Sequence, residues 1–251
     1  MTYAWVLARR ALVEGMRTPE AIVPTLFIPL FFLVVNVGQA AKIFPGSTTD
    51  FLHGQGYGAF QLPSSMLLAA SFGSAALFLV EEIEGGYFDK LRATPVPRSA
   101  IVVGRLIAEG IKTLVIASLL VLLGLLFGIT IASGVLGYVL LVLLTALWAV
   151  VYSGYMQVIA LKTRSAAATN SAGLIFFPLL FLTPNFVPRD LLTRPMEIAA
   201  TFNPVTYLME AMRSLILVDL AWETIGLGFL VVVVSGAIML ALSIRTVRVY
   251  D

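Results

Sequence analysis

The chain has 251 residues, a formal net charge of +2 and no cysteine; 59% of its residues are hydrophobic and 12% charged, with a mean hydropathy of +0.97. Soluble domains carry about 45–50% apolar and about 25% charged residues, so a soluble fold is excluded and one all-α integral membrane domain over 1–251 is expected. A charge this near neutrality draws no nucleic acid, and the missing cysteines rule out disulfides, thiolate metal sites and a cysteine nucleophile.

Residues 2–18 predict a helix lying in the headgroup plane. Trp5, Leu12 and Met16 cluster on one face and Arg10, Glu14 and Arg17 on the opposite side, with Tyr3 and Trp5 as interface anchors. Arg9, Arg10, Glu14, Arg17 and Glu20 delay the first apolar run, and that run is long enough to span and has no small-residue cleavage site. A signal peptide is therefore not expected. A span needs about 20 mainly apolar residues. Six runs qualify: 21–41, 60–80, 101–131, 135–161, 166–183 and 224–244. Pro24, Pro29 and Pro178 fall inside spans. They predict kinks rather than breaks, because neighbouring helices re-satisfy the backbone groups they free.

Between the second and third runs lies EEIEGGYFDKLRATPVPR, residues 81–98, seven of whose eighteen residues are charged. This island is expected in water, against a soluble partner. Gly85 and Gly86 permit a sharp exit from the second span. Residues 87–93 predict a short helix with Phe88 and Leu91 as apolar knobs, and Thr94-Pro95-Val96-Pro97 stops it. Glu82, Glu84, Asp89, Lys90 and Arg92 supply polar contacts at the rim. The third run is too long for the bilayer alone. Arg105, Glu109 and Lys112 share a helix face, so 98–112 is expected to emerge into the cytosol with that face solvated and salt-bridged.

Residues 184–221 are too polar to span and too apolar for a free loop. Asn203-Pro204 is a strong helix start, a side-chain cap followed by proline at the first helical position. The helix is expected from 204 to about 218, burying Leu208, Met212 and Leu215, with Glu210 and Arg213 spaced to pair. Two short re-entrant helices on the outer face fit this stretch. With both termini inside, twelve Lys and Arg lie on the cytoplasmic side against four outside (Lys42, Arg189, Arg194, Arg213). That bias predicts a multi-pass cell-membrane protein with cytoplasmic termini.

The catalytic inventory is empty. There is no GxxxxGK[ST] phosphate cradle, no HExxH and no GxSxG, and the one histidine, His53, falls in an outer loop. No ionisable group lies at an expected span centre, which disfavours an ion-coupled carrier. The polar groups within spans are mild: Asn36, Gln39, Thr145, Gln157 and Asn170. Such groups mostly bond between helices, and Asn36, Gln39 and Asn170 are the candidates for a cargo path. The chain thus has transport architecture without an engine, and neither enzyme activity nor a metal site is expected.

EEIEGGYFDKLRATPVPRSAIVVGRL resembles the loop between the second and third spans of ABC-2 type transporter permeases. Glu82, Glu84, Gly86, Leu91, Thr94, Pro95, Arg98, Gly104 and Arg105 fall in register with that family's pattern. A second landmark reads FLTPNFVPRDLL and then FNPVTYLMEAMR, matching at Pro184, Pro188, Asn203, Pro204, Thr206, Tyr207 and Arg213. The chain is most similar to the daunorubicin-type drug-exporter branch. The resemblance implies a permease subunit, one of two in a homodimer or heterodimer, with two copies of an ABC ATPase that bind ATP and magnesium while this chain binds no cofactor. It implies that the interfacial helix (Trp5, Arg9, Arg10, Arg17) and the 81–98 loop grip the ATPase. The outer helices (Pro184, Pro188, Asn203, Pro204, Tyr207, Glu210, Arg213) would close the exit. Amphipathic or lipid-like cargo would pass between protomers, along the first, second and fifth spans, in contact with membrane lipid. The alternative is the membrane subunit of an ATPase-bound sensor or immunity complex that exports nothing.

Overall fold

The computed structural model describes residues 2–72 and 75–250; residues 73–74, inside the expected second span, and the two terminal residues lie outside them. Twelve α-helices follow one another among the described residues, without a strand. They are α1 (Thr2–Met16), α2 (Pro19–Ala40), α3 (Tyr57–Ser71), α4 (Ala75–Glu84), α5 (Tyr87–Arg92), α6 (Arg98–Leu126), α7 (Gly134–Thr163), α8 (Ala166–Gly173), α9 (Phe176–Phe181), α10 (Arg194–Phe202), α11 (Pro204–Leu217) and α12 (Trp222–Arg248).

Among the described residues, five stretches are long and apolar enough to cross a membrane: Val23–Ala40, Tyr57–Glu84, Arg98–Leu126, Gly134–Thr163 and Trp222–Arg248. The sixth expected span, 166–183, is instead two short helices, α8 and α9. Gly173 weakens the helix at the join, and Pro178 cannot donate to the carbonyl four residues back. The backbone crosses the join on tighter bonds, from Ile175 N–H to Ala172 O at 3.3 Å and from Phe177 N–H to Leu174 O at 3.1 Å. Two tyrosines of α7 donate to carbonyls at the join: Tyr152 to Gly173 O at 2.5 Å and Tyr155 to Ala172 O at 3.3 Å. Pro24 and Pro29, by contrast, ride inside an unbroken α2.

Helix α7 is the axis, touching α3, α4, α6, α8, α11 and α12. Its buried face runs through Leu141, Leu144, Trp148, Ala149 and Tyr152. Polar groups on this axis bond sideways, with Trp148 Nε1 donating to Ser71 Oγ at 2.9 Å and Ser243 Oγ to Gly154 O at 3.0 Å. Helices α2 and α12 form the periphery and keep Phe27, Phe31, Leu230, Val233 and Ile238 exposed. Apolar surface on this scale marks a face meant for lipid or another protein.

Helix α1 lies along the first half of α6, which corrects the expectation of a solvated face there. Arg105 and Glu109 are buried. The α1 face turned inward is the small-residue one, through Ala8, while Trp5 and Met16 stay exposed as an interfacial helix requires. The close approach occurs at Gly104, where an added Cβ would stand 2.9 Å from both Ala4 O and Leu7 Cβ. We therefore expect Gly104→Leu to prise α1 away and destabilise the fold by about 1–3 kcal/mol, read as a lower unfolding midpoint in detergent. Gly15→Ala, where an added Cβ meets nothing within 4 Å, should leave the midpoint unchanged or slightly raised.

Candidate functional site

Both ends of the chain and the 81–98 segment gather at one end of the bundle. Helix α4 carries the chain to Glu84, Gly86 turns it with φ +70°, and α5 follows. That left-handed turn is open to glycine and strained for other residues. Glu81, Glu84, Tyr87, Asp89, Lys90, Thr94, Pro95 and Arg98 are exposed. Phe88, expected as an outward knob, is instead fully buried, and Leu91 packs against the core from a half-buried position. The reason is the C-terminus. Phe88 packs edge-on to Tyr250 with ring centroids 5.0 Å apart. The Arg92 and Arg164 guanidiniums lie 4.6 and 4.2 Å from the centroid of that tyrosine ring. Arg92 donates to Tyr250 O, and Arg98 to Arg248 O at 3.0 Å. Each cation over a ring contributes about 0.5–2 kcal/mol, so the tail is a structural part of the α5 platform.

Glu82 is equally internal, although the island was expected in water. Its side chain is 8% exposed; Oε1 accepts from Arg10 at 2.6 Å and Oε2 from Arg105. The Arg10 guanidinium also lies 4.3 Å from the Tyr87 ring centroid. One carboxylate therefore joins α1, α4 and α6. Lys112 turns to Glu109 at 2.8 Å, so the Arg105–Glu109–Lys112 face is paired inside the protein. Glu84 accepts from the Ala166 N–H at 3.2 Å, at the start of α8, where a carboxylate is favoured by the helix dipole. Asp89 and Lys90 are left on the open side of α5, with Asp89 at 3.2 Å from Arg92. Arg9 on α1 and Arg17 just after it are exposed.

At the opposite end, Asn203 caps α11 as expected, its Oδ1 accepting from Val205 N–H at 3.0 Å. Its amide donates to Leu179 O at 2.6 Å, and Leu208, Met212 and Leu215 are buried. The expected Glu210–Arg213 pair is not formed. Glu210 takes a bidentate pair from Arg189, both bonds 2.9 Å. Burial pushes the Glu210 carboxyl above its ordinary range, against the pull of Arg189. Arg213 donates to three carbonyls, Phe60 O at 3.1 Å, Asn185 O at 2.9 Å and Pro184 O, with its guanidinium 3.5 Å from the Phe60 ring centroid. It thereby fixes the Pro184 turn to α3. Tyr207 closes onto Thr201 O at 2.7 Å, and Pro188 lines a recess of about 230 Å³ that His53 also borders.

The cargo candidates do not converge. Asn170 borders a cavity of about 330 Å³ with Ser71, Phe72, Ser171, Phe176 and Phe177, beside the α8–α9 join. Asn36 and Gln39 lie on the peripheral α2, and Gln39 is exposed. Sequence reasoning missed Tyr250, Arg164 and Gln55. Gln55 ties two loops, donating to Ile216 O at 2.8 Å and accepting from Thr130 N–H at 3.2 Å. The lone aromatic in a charged tail, RTVRVYD, was the available signal for Tyr250. Among the described residues no cluster of three metal-ligating side chains exists.

The sequence pattern of the ABC-2 type transporter family matches residues 2–217, and the chain belongs to that family. It is 26% identical over 255 residues to the daunorubicin resistance ABC transporter permease protein DrrB1 of Streptomyces coeruleorubidus, covering 100% of this chain and 85% of that protein. It is 23% identical over 210 residues to the probable doxorubicin resistance ABC transporter permease protein DrrC of Mycobacterium tuberculosis, covering 82% of this chain and 73% of the relative. The chain is therefore a multi-pass membrane permease of the ABC type, a transport subunit rather than a catalyst.

Glu82→Ala should cost about 3–5 kcal/mol, because it breaks a buried ion pair that ties α4 to α1 and α6. Adding Arg105→Leu should recover much of that loss, measured as a double-mutant cycle on the unfolding midpoint. Tyr250→Ala should speed hydrogen–deuterium exchange across residues 86–93 by about tenfold, the equivalent of losing about 1.4 kcal/mol of cation–π and aromatic contact. Tyr250→Phe, which keeps the ring, should not.

Proposed function

We propose that this chain is the permease subunit of an ABC exporter that moves amphipathic or lipid-like cargo outward on ATP hydrolysed by a separate subunit. In this reading both termini are cytoplasmic, α8 and α9 together form a sixth crossing, and α10 and α11 form a re-entrant hairpin at the outer face. Two permeases act with two ATPases, which hold the ATP and magnesium.

The observation that carries the reading is the α5 platform. Its open side offers Asp89 and Lys90, flanked by Tyr87 and Arg98. Its inner side is fastened to α1 through the Tyr87 ring under Arg10 and to the tail after α12 through Tyr250, while the adjoining α4 is fastened to α1 and α6 through Glu82. A push on α5 reaches three helices at once, whereas a floppy loop would absorb it. ATP binding closes the ATPase pair and favours one permease state by as much as its differential affinity for that state. The anchors differ from the expected ones: Phe88 transmits from inside, and the contact surface is polar.

For cargo, the names of the two relatives supply daunorubicin and doxorubicin. The Asn170 cavity, three phenylalanines with Asn170, Ser71 and Ser171, suits a flat amphipathic molecule that needs apolar walls and a few hydrogen-bond partners. Arg213 and the Arg189–Glu210 pair hold the outer segment against α3 and give the exit a fixed wall.

The test is transport in proteoliposomes containing the permease and its ATPase. ATP-dependent accumulation of an anthracycline is the expected result. ATP hydrolysis without cargo movement would favour the sensor or immunity reading. Lys90→Glu should weaken ATPase association by about tenfold at low salt, mostly through the association rate. Asn170→Leu should weaken apparent cargo affinity by about fivefold, as for one lost hydrogen bond of about 1 kcal/mol, while leaving ATPase association intact.

A further inference from the structure

We infer that an anionic glycerophospholipid occupies a specific groove between α1 and α6, in the leaflet on which α1 lies. That leaflet is cytoplasmic in the orientation proposed above. The groove encloses about 430 Å³. One wall is the α1 face made by Arg9, Leu12, Val13 and Met16, at spacings that stack them on one side of the helix. The other is the α6 row Ala108, Lys112, Val115 and Leu119, and Phe78 of α4 stands beside it.

Its polarity is graded along the bundle. The charged residues Arg105, Glu109 and Lys112 stand at one end and the apolar Val115, Ile116 and Leu119 at the other. From 108 to 119 the helix rises about 16 Å at 1.5 Å per residue, close to half of a hydrocarbon core about 30 Å thick. A headgroup beside Lys112 thus leaves the first part of its acyl chains, about 10 Å along α6, against Val115 and Leu119. A protein helix would not match this gradient, and a soluble ligand would not use the apolar end.

The sign of the headgroup follows from the charges. Glu82 is paired with Arg10 and Arg105, and Glu109 with Lys112. Glu14 borders a separate recess with Arg10, Glu82 and Leu91, on another face of α1. Arg9 is exposed at the groove mouth. It has no acidic partner among the described residues, so the mouth carries an uncompensated positive charge suited to a lipid phosphate. This site does not depend on the exporter reading, since it needs only membrane residence and the α1–α6 geometry.

The experiment is native mass spectrometry of the full-length permease, titrated with phosphatidylglycerol and with phosphatidylcholine of identical chains. The first phosphatidylglycerol should bind more tightly than the first phosphatidylcholine. Arg9→Gln should weaken phosphatidylglycerol about fivefold, the factor for one surface cation, and leave phosphatidylcholine unchanged. Val115→Trp, at a residue 58% exposed and so free to accept the larger ring, should obstruct the groove and weaken both lipids. Equal affinity for the two lipids, or an undiminished preference in Arg9→Gln, would overturn the headgroup assignment. Unaltered binding in Val115→Trp would overturn the groove.

Discussion

Three helices meet on the Glu82 carboxylate. Removing a carboxylate and a guanidinium from water costs several kcal/mol per ion, and only good geometry with further hydrogen bonds offsets it. Here both oxygens are used, one by Arg10 and one by Arg105, and Arg10 gains the Tyr87 ring as well. The arrangement holds α1 against α6 at the level where Gly104 allows the backbones to touch. The inward face of α1 packs through Leu7 and Ala8, while Trp5, Val6 and Met16 point outward.

The same economy governs the rest of the bundle. Several interruptions of the helices are matched by a side chain that bonds to the backbone there, as apolar surroundings demand. Tyr152 and Tyr155 serve the α8–α9 join. Arg213 serves the turn after α9, Gln55 the two loops at the same end, and Asn203 the junction of α10 and α11. These are points where irregular backbone coexists with burial. An aromatic cavity with a few hydrogen-bonding groups opens beside one of them.

The terminal end and the opposite end are thus built differently. At the terminal end, charge pairs clamp α4 to α1 and α6, and cation–ring stacks clamp α5 to α1 and to the tail after α12, under a polar surface. At the opposite end, one arginine binds carbonyls across α3 and the 184–185 turn, and a second ion pair covers it.

Local signals made much of this legible. The Asn203-Pro204 cap, the Gly86 turn and the short α5 helix depend on neighbours in the chain, and each lies where the residues put it; hydropathy over about 20 residues marked the apolar runs but not the break within 166–183. The positions of the family's two landmarks were legible for the same reason. What the sequence could not decide was partner choice. A carboxylate at 82 faces several arginines at comparable reach. Its choice of Arg10, 72 residues away, arises only once α1 has folded down. The same holds for Glu210, which turns to Arg189 rather than to the arginine three residues on. Burial was equally non-local. Phe88 reads as an exposed tip until a tail 158 residues beyond Arg92 comes back to cover it. The sequence by itself determined a helical membrane domain and the order of its parts; the tertiary structure decided which charges are paired, which aromatic is hidden and where a helix breaks. Those outcomes depend on desolvation, which exists only once the distant segments have met.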